Sequence, residues 1–190
     1  MSEDRVRYGV REYLETDETM RPQELVYGYV RDAASPTPPQ QSAVLRFTIA
    51  LISHVEERSL GHVVIAPMDC VLDTAGALVV QPDVVFVSPE RAHIIRDRIW
   101  GAPDLVLEVL SPNPRIGAVD ERLGWFATYG VRECWLYHQF ARQLEVIQFE
   151  NRAQADRRRF DFQDRIVSGV LPDFDHTCAS ILTIYKRSRR

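Results

Sequence analysis

The chain contains a single lysine, Lys186, although lysine and arginine together number 23. Any chemistry that needs a lysine amine must therefore use this residue near the C-terminus or replace lysine with arginine. Cysteine is also scarce, and Cys70, Cys134 and Cys178 are widely spaced and odd in number. This spacing excludes a disulfide framework and a paired-cysteine zinc site.

Long apolar runs are missing as well. No run approaches the roughly 18 residues of a membrane-spanning helix, and residues 1–5 are polar or charged after the initial methionine. We therefore expect a cytoplasmic protein with no membrane partner. The net charge of -4 argues against a protein that coats nucleic acid. The arginines within 152–159 and the basic tail 186–190 are typical of solvated turns and chain ends.

With 190 residues and 45% hydrophobic content, the chain predicts a single domain, 1–190, that buries its own core. Helical spacing and apolar alternation predict the order of elements. Predicted helices cover 6–14, 40–57, 117–129 and 180–187, a hairpin that turns at Gly28 covers 24–32, and predicted strands cover 62–72, 78–80, 83–87, 104–110, 131–137, 144–149 and 166–171. Segments 35–39 and 151–159 are predicted to be loops, and 62–87 an antiparallel meander.

This order predicts an α/β fold, a mixed β-sheet flanked by α-helices. The helix 117–129 is expected to connect two parallel strands of the sheet. The three tryptophans are spaced as core or dimer residues, and the histidines show no metal-binding spacing.

Two of the predicted strands carry an acid in apolar surroundings. Glu108 interrupts the apolar run from Leu105 to Leu110. Upstream, Asp83 opens the apolar run 84–87. A buried carboxylate is costly unless it is paired, protonated or bound to a cation. Asp104 lies roughly 13 Å from Glu108 along the strand, so the two cannot bind one ion. At the strand start, Asp104 needs no more than a solvated or turn role.

If the two strands are neighbours, Asp83 and Glu108 can converge on one Mg²⁺ ion, with the carbonyl of Val109 as a further ligand. Such a site activates water and stabilises charge on a phosphate. The same residues also allow a structural interpretation, in which Asp83 caps a turn and Glu108 pairs with a buried arginine. The acids alone leave both interpretations open.

Three segments together, 81–85, 102–112 and 129–136, resemble the putative restriction endonuclease family of the PD-(D/E)XK nuclease superfamily. They read Gln-Pro-Asp-Val-Val, Ala-Pro-Asp-Leu-Val-Leu-Glu-Val-Leu-Ser-Pro and Tyr-Gly-Val-Arg-Glu-Cys-Trp-Leu. The resemblance covers about residues 10 to 185. It implies a restriction-endonuclease-like fold, a site that hydrolyses DNA with Mg²⁺ or Mn²⁺, and often a homodimer.

Carried over by position, Asp83 and Glu108 match the metal-binding acids, and Glu24 matches an early acid near the site. The superfamily has a lysine two residues after the second acid, and this sequence has Leu110 at that position. In the family this lysine has moved to the following helix, where the sequence has Arg122. Arginine keeps the charge and can bind a phosphate, but it does not readily lose a proton.

Other positions also depart from the family. A histidine after the proline-rich loop is replaced by Gln40 or Gln41, and Cys134 stands where an aromatic residue precedes Trp135. A further acid is replaced near His138. We therefore carry two hypotheses. In the first, the protein is a metal-dependent DNA endonuclease whose Arg122 contacts the scissile phosphate. In the alternative, it is a nuclease fold without catalysis that serves as a DNA-binding or homo-oligomeric scaffold.

Overall fold

A computed structural model describes residues 6–17, 22–33, 35–111 and 116–183 of the chain. The α-helices are α1 (Val10–Leu14), α2 (Pro38–Glu57), α3 (Ile116–Tyr129) and α4 (Cys178–Leu182). The strands are β1 (Gln23–Val26), β2 (Tyr29–Asp32), β3 (His62–Ile65), β4 (Cys70–Asp73), β5 (Leu78–Val80), β6 (Val84–Val87), β7 (Ile99–Trp100), β8 (Leu105–Leu110), β9 (Glu133–His138), β10 (Gln143–Glu150) and β11 (Ala153–Phe160). Within the described ranges, no helix has the length and apolar character to cross a bilayer.

The strands form two mixed sheets, which confirms the α/β class. One sheet has the order β2-β1-β5-β4-β7, and the other has the order β11-β10-β9-β8-β6-β3. In the second sheet β8 and β9 are parallel and joined by α3, as the sequence predicted. A parallel pair needs such a crossover because a tight turn cannot reverse the chain twice.

The predicted meander over 62–87 is wrong, because its strands divide between the sheets. Strands β4 and β5 pair in the five-stranded sheet, whereas β3 and β6 pair in the six-stranded sheet. Every residue of β6 is buried. A strand that is apolar on both faces is best satisfied at the centre of a sheet, and β6 lies between β3 and β8.

Two predicted loops are shorter than expected. Helix α2 begins at Pro38, inside the predicted loop, and Thr37 caps it by accepting a hydrogen bond from the Gln40 amide. Proline suits this first turn because its missing N–H would have no partner there. The second loop, 151–159, is mostly strand β11, whose arginines pair with a carboxylate on β10.

Three other predicted elements also differ. The strand expected at 166–171 does not form; there the Gly169 amide and the Ser168 hydroxyl both donate to the Glu133 carboxylate. The terminal helix spans Cys178–Leu182, and the remainder of the predicted range, 184–187, lies outside the described residues. Helix α1 begins at Val10, after Gly9, rather than at residue 6.

The core has three parts that the sheets separate. The first lies between the two sheets, where α3 packs with Phe126 and Leu123 on Cys134 and Leu136. The second lies under α2 and α4 on the other face of the six-stranded sheet. The third is small and lies under α1. Side chains that point from both sheets toward α3 therefore meet in one layer, and the polar ones among them form the site described below.

Glu145 on β10 is a charged residue in a buried position. We therefore expect the stability of the fold to fall in acid. Burial opposes the ionisation of Glu145, but hydrogen bonds from Arg157, Arg159 and His138 lower its pKa from 4.5 to about 2. A lowered pKa stabilises the fold above about pH 4.5, and this stability is lost as the pH falls toward 2. The contribution near neutral pH is on the order of 3 kcal/mol.

Urea unfolding of the wild type and of Glu145→Gln measures this contribution. We expect the difference in unfolding free energy between them to be largest above pH 5 and to shrink at pH 3. A difference that stays constant over this range would show that the charge on Glu145 does not stabilise the fold.

Candidate active site between the two sheets

The two acids predicted to converge lie side by side. Strands β6 and β8 are antiparallel with Val84 opposite Leu107. One further step of this register places Asp83 opposite Glu108, and directly opposite residues share a face of the sheet. The amide N–H of Val109 donates a 2.7 Å hydrogen bond to Asp83 Oδ2. The Asp83 carboxylate therefore lies across the end of β8, next to Glu108.

Arg122 brings the other predicted residues to the same place. From α3, its Nε donates to Glu108 Oε1 at 2.6 Å, and its Nη1 lies 2.8 Å from both carboxylate oxygens of Glu24. The guanidinium also lies 5.5 Å from the centre of the Phe126 ring. Glu24 belongs to the five-stranded sheet and Glu108 to the six-stranded sheet. One arginine therefore joins the two sheets at the site.

Burial dominates the electrostatics of Glu108 and Asp83. Burial, helped by the nearby charge of Asp83, raises the pKa of Glu108 to about 7 against the opposing effect of Arg122. Burial also raises the pKa of Asp83, although the Val109 N–H opposes this. For Arg122, burial lowers the pKa, but Glu108 and Glu24 raise it by more. Arg122 therefore stays charged and cannot accept a proton.

The donors fit a hard divalent cation. Asp83 Oδ1 and Glu108 Oε2 receive no hydrogen bond from the described residues, so each can bind a metal. The Val109 carbonyl accepts one hydrogen bond, from Gln40 Nε2 at 2.9 Å, and keeps its second lone pair. Within the described ranges, no three His, Cys, Asp or Glu side chains cluster as a complete metal site. Two carboxylates with several waters are a common Mg²⁺ environment.

Part of the structural interpretation of these acids also holds. Glu108 does pair with a buried arginine, since the side chain of Arg122 is 18% exposed. Asp83 does not cap a turn, because its hydrogen bond is to a strand amide. Of the two glutamines considered at the family histidine position, Gln40 is the one that contacts the site. The only lysine, Lys186, lies outside the described residues.

Asp104 is the clearest error of the sequence interpretation. It is completely buried rather than solvated. Its carboxylate accepts hydrogen bonds from the Ser88 amide at 2.7 Å and from Arg132 at 3.2 Å, and it pairs with Arg91 at 3.4 Å. These contacts fix the start of β8 and thereby the position of Glu108. No spacing in the sequence signals the two arginine partners, since Arg91 lies on a short 3₁₀ helix, Pro89–Ile94, and Arg132 lies in the loop before β9.

Comparison with solved structures gives a similar fold. A putative nuclease belonging to DUF820 from Anabaena variabilis ATCC 29413 superposes with a TM-score of 0.76 and 16% identity, over 92% of this chain and 97% of that one. At this identity the likeness shows the fold alone. A comparison with curated proteins found no match. Residues 10–181 match the Uma2 family, described as putative restriction endonuclease. The chain belongs to the Uma2 family.

Proposed function

We propose that the protein is a Mg²⁺- or Mn²⁺-dependent endonuclease that hydrolyses DNA phosphodiester bonds at the site formed by Asp83, Glu108 and Arg122. The observation that supports this most is the placement of Asp83 beside Glu108 across two strands, with a charged guanidinium bonded to Glu108. Membership of a family described as putative restriction endonuclease supports the class of reaction.

The residues have separate roles in this proposal. Asp83, Glu108 and the Val109 carbonyl hold the cation, which when bound supplies an activated water and neutralises charge on the phosphate. Arg122 donates to a phosphate oxygen through Nη2, which has no acceptor among the described residues. Glu24 holds Arg122 in place, and the Gln81 amide in turn holds Glu24 at 2.7 Å.

The balance of charge explains why a cation is needed. When ionised, Glu24, Asp83 and Glu108 carry three negative charges against the single positive charge of Arg122. A phosphate approaching this group is repelled unless a divalent cation binds first. A cation also favours the ionised forms of Asp83 and Glu108, whose pKa values burial has raised.

Nicking of supercoiled plasmid tests the proposal. The purified protein should convert supercoiled DNA to open circles with Mg²⁺ or Mn²⁺ and not with EDTA. If a protein that is folded by circular dichroism leaves the plasmid intact with both metals, the endonuclease proposal is wrong.

A scaffold without catalysis is the second candidate, and one contact favours it. Arg122 already pairs with Glu24 and Glu108 from within the fold, so these two acids have a partner with no metal. Calorimetric titration separates the two candidates. Asp83-dependent Mg²⁺ binding counts against the scaffold. Cleavage gained by Arg122→Lys would show that the site has lost a lysine rather than taken a new role.

The cytoplasmic location, the single domain and the homodimer stay predictions. We propose that two copies associate in solution, and light scattering coupled to size-exclusion chromatography measures their mass.

A further inference from the structure

The β1–β2 hairpin places a second arginine next to the site. In its register Glu24 lies opposite Arg31, so both side chains are on the face toward α3. Arg31 Nη1 donates to Glu121 Oε2 at 2.9 Å, and its guanidinium lies 6.0 Å from the centre of the Trp125 ring. Glu121 immediately precedes Arg122 on α3. Arg31 therefore lies at the rim of the site, one strand beyond Glu24.

The present partner of Arg31 holds it weakly. The side chains of Arg31 and Glu121 are 51% and 39% exposed. An ion pair this exposed contributes little free energy because water and salt screen it. Glu121 accepts from both Nη1 at 2.9 Å and Nη2 at 3.4 Å, and the planar guanidinium can bind a phosphate with the same two-pronged geometry. Trp125 meanwhile limits the positions that the guanidinium takes, so the exchange of partners needs little rearrangement.

The same hairpin carries another cation. Arg7 lies 6.0 Å from the centre of the Tyr29 ring, and the Tyr8 amide donates to the Gly28 carbonyl at the hairpin turn. Gly28 has a φ of +89°, and a Cβ there would lie 2.6 Å from Arg7 Cγ. Glycine is therefore needed both for the turn and for the packing of Arg7. Arg7 therefore adds a second cation at the turn of this hairpin, whose own charged residues are Glu24, Arg31 and Asp32.

We propose that Arg31 binds a backbone phosphate of the nucleic acid that flanks the scissile phosphate on the hairpin side. This inference rests on the proposed function. The contact compensates for the negative charge of the site and positions the strand, so Arg31 is a binding residue rather than a catalytic one.

Arg31→Gln is compared with Arg158→Gln, its matched control. Arg158 also lies on an edge strand and pairs with a half-exposed acid, Asp156, at 2.8 Å. Fluorescence anisotropy with a labelled 20-base-pair duplex, with Ca²⁺ in place of Mg²⁺, gives the Kd over a range of salt concentrations. We expect Arg31→Gln to raise the Kd about tenfold and to reduce the slope of log K against log salt by about one. Arg158→Gln should change neither.

Two further variants exclude a merely structural effect. Arg31→Lys should keep the salt slope, because the charge remains. Glu121→Gln should bind DNA at least as tightly as the wild type, because it removes the competing carboxylate. If instead Arg31→Gln and Arg158→Gln share one Kd and one slope, the inference is wrong.

Plasmid nicking distinguishes this failure from failure of the proposed function. A wild-type protein that nicks plasmid, together with equal binding by the two arginine variants, overturns the role of Arg31 alone. A wild-type protein that neither binds nor nicks DNA overturns both.

Discussion

Asp83→Asn and Glu108→Gln should each lower the rate of Mg²⁺-dependent plasmid nicking by about a hundredfold or more. Each change keeps the shape of the side chain and removes one of the two carboxylate ligands available to the cation. An asparagine at 83 can still accept the Val109 N–H, so Asp83→Asn should change stability little. Glu108→Gln removes one partner of the Arg122 ion pair and should also lower the free energy of unfolding, so Asp83→Asn is the cleaner test of activity.

The measurement is the initial rate of conversion of supercoiled to open-circular DNA, with thermal unfolding as a check on folding. Asp156→Asn is the control, since it removes a carboxylate that pairs with Arg158 on β11, away from the site. Wild-type rates in both Asp83→Asn and Glu108→Gln would exclude the site as the origin of any nicking.

Glu133→Ala should lower the free energy of unfolding by about 3–5 kcal/mol. Glu133 is fully buried. It accepts hydrogen bonds from Trp135 Nε1 at 2.7 Å, Ser168 Oγ at 2.6 Å, the Gly169 amide at 2.6 Å and Gln148 Nε2 at 3.2 Å. Its removal leaves buried donors without an acceptor and releases the segment at 168–169 from the sheet.

Urea unfolding followed by tryptophan fluorescence measures this loss, since Trp135 is one of the partners. Glu150→Ala provides the comparison, because Glu150 is exposed at the end of β10 and its removal should cost less than about 0.5 kcal/mol. Equal stability of Glu133→Ala and the wild type would mean that the hydrogen bonds to Glu133 contribute nothing net.

The sequence predicted the elements that local pattern determines. The apolar runs around Glu108 and after Asp83 identified two strands, and the spacing from Val44 to Val55 identified α2 apart from its first turn. The convergence of Asp83 and Glu108 was a hypothesis from the two acid-bearing strands, whereas Glu24 and Arg122 were expected at the site only from the resemblance to a nuclease family. Nothing local places Glu24 near Arg122, because they come together through contact between two sheets.

The missed features depend on partners far away in sequence. Asp104 was interpreted as solvated because its partners, Arg91 on a short 3₁₀ helix and Arg132 in a loop, follow no recognisable sequence pattern. Strand β11 was interpreted as a loop because its arginines suggest solvent. Two of them, Arg157 and Arg159, are instead neutralised by one buried carboxylate on the adjacent strand. Polar sequence alone does not distinguish a solvated charge from a paired one.

The two ion pairs of Arg122 connect the candidate site to the contact between the two sheets. Its guanidinium is bonded to Glu108 on one side and to Glu24 on the other. Under the proposed function, a divalent ion binds Glu108 through Oε2 while Arg122 keeps Oε1, so one carboxylate serves both the ion and the contact between the layers. A substitution at Glu108 therefore acts on the cohesion of the two layers as well as on the site.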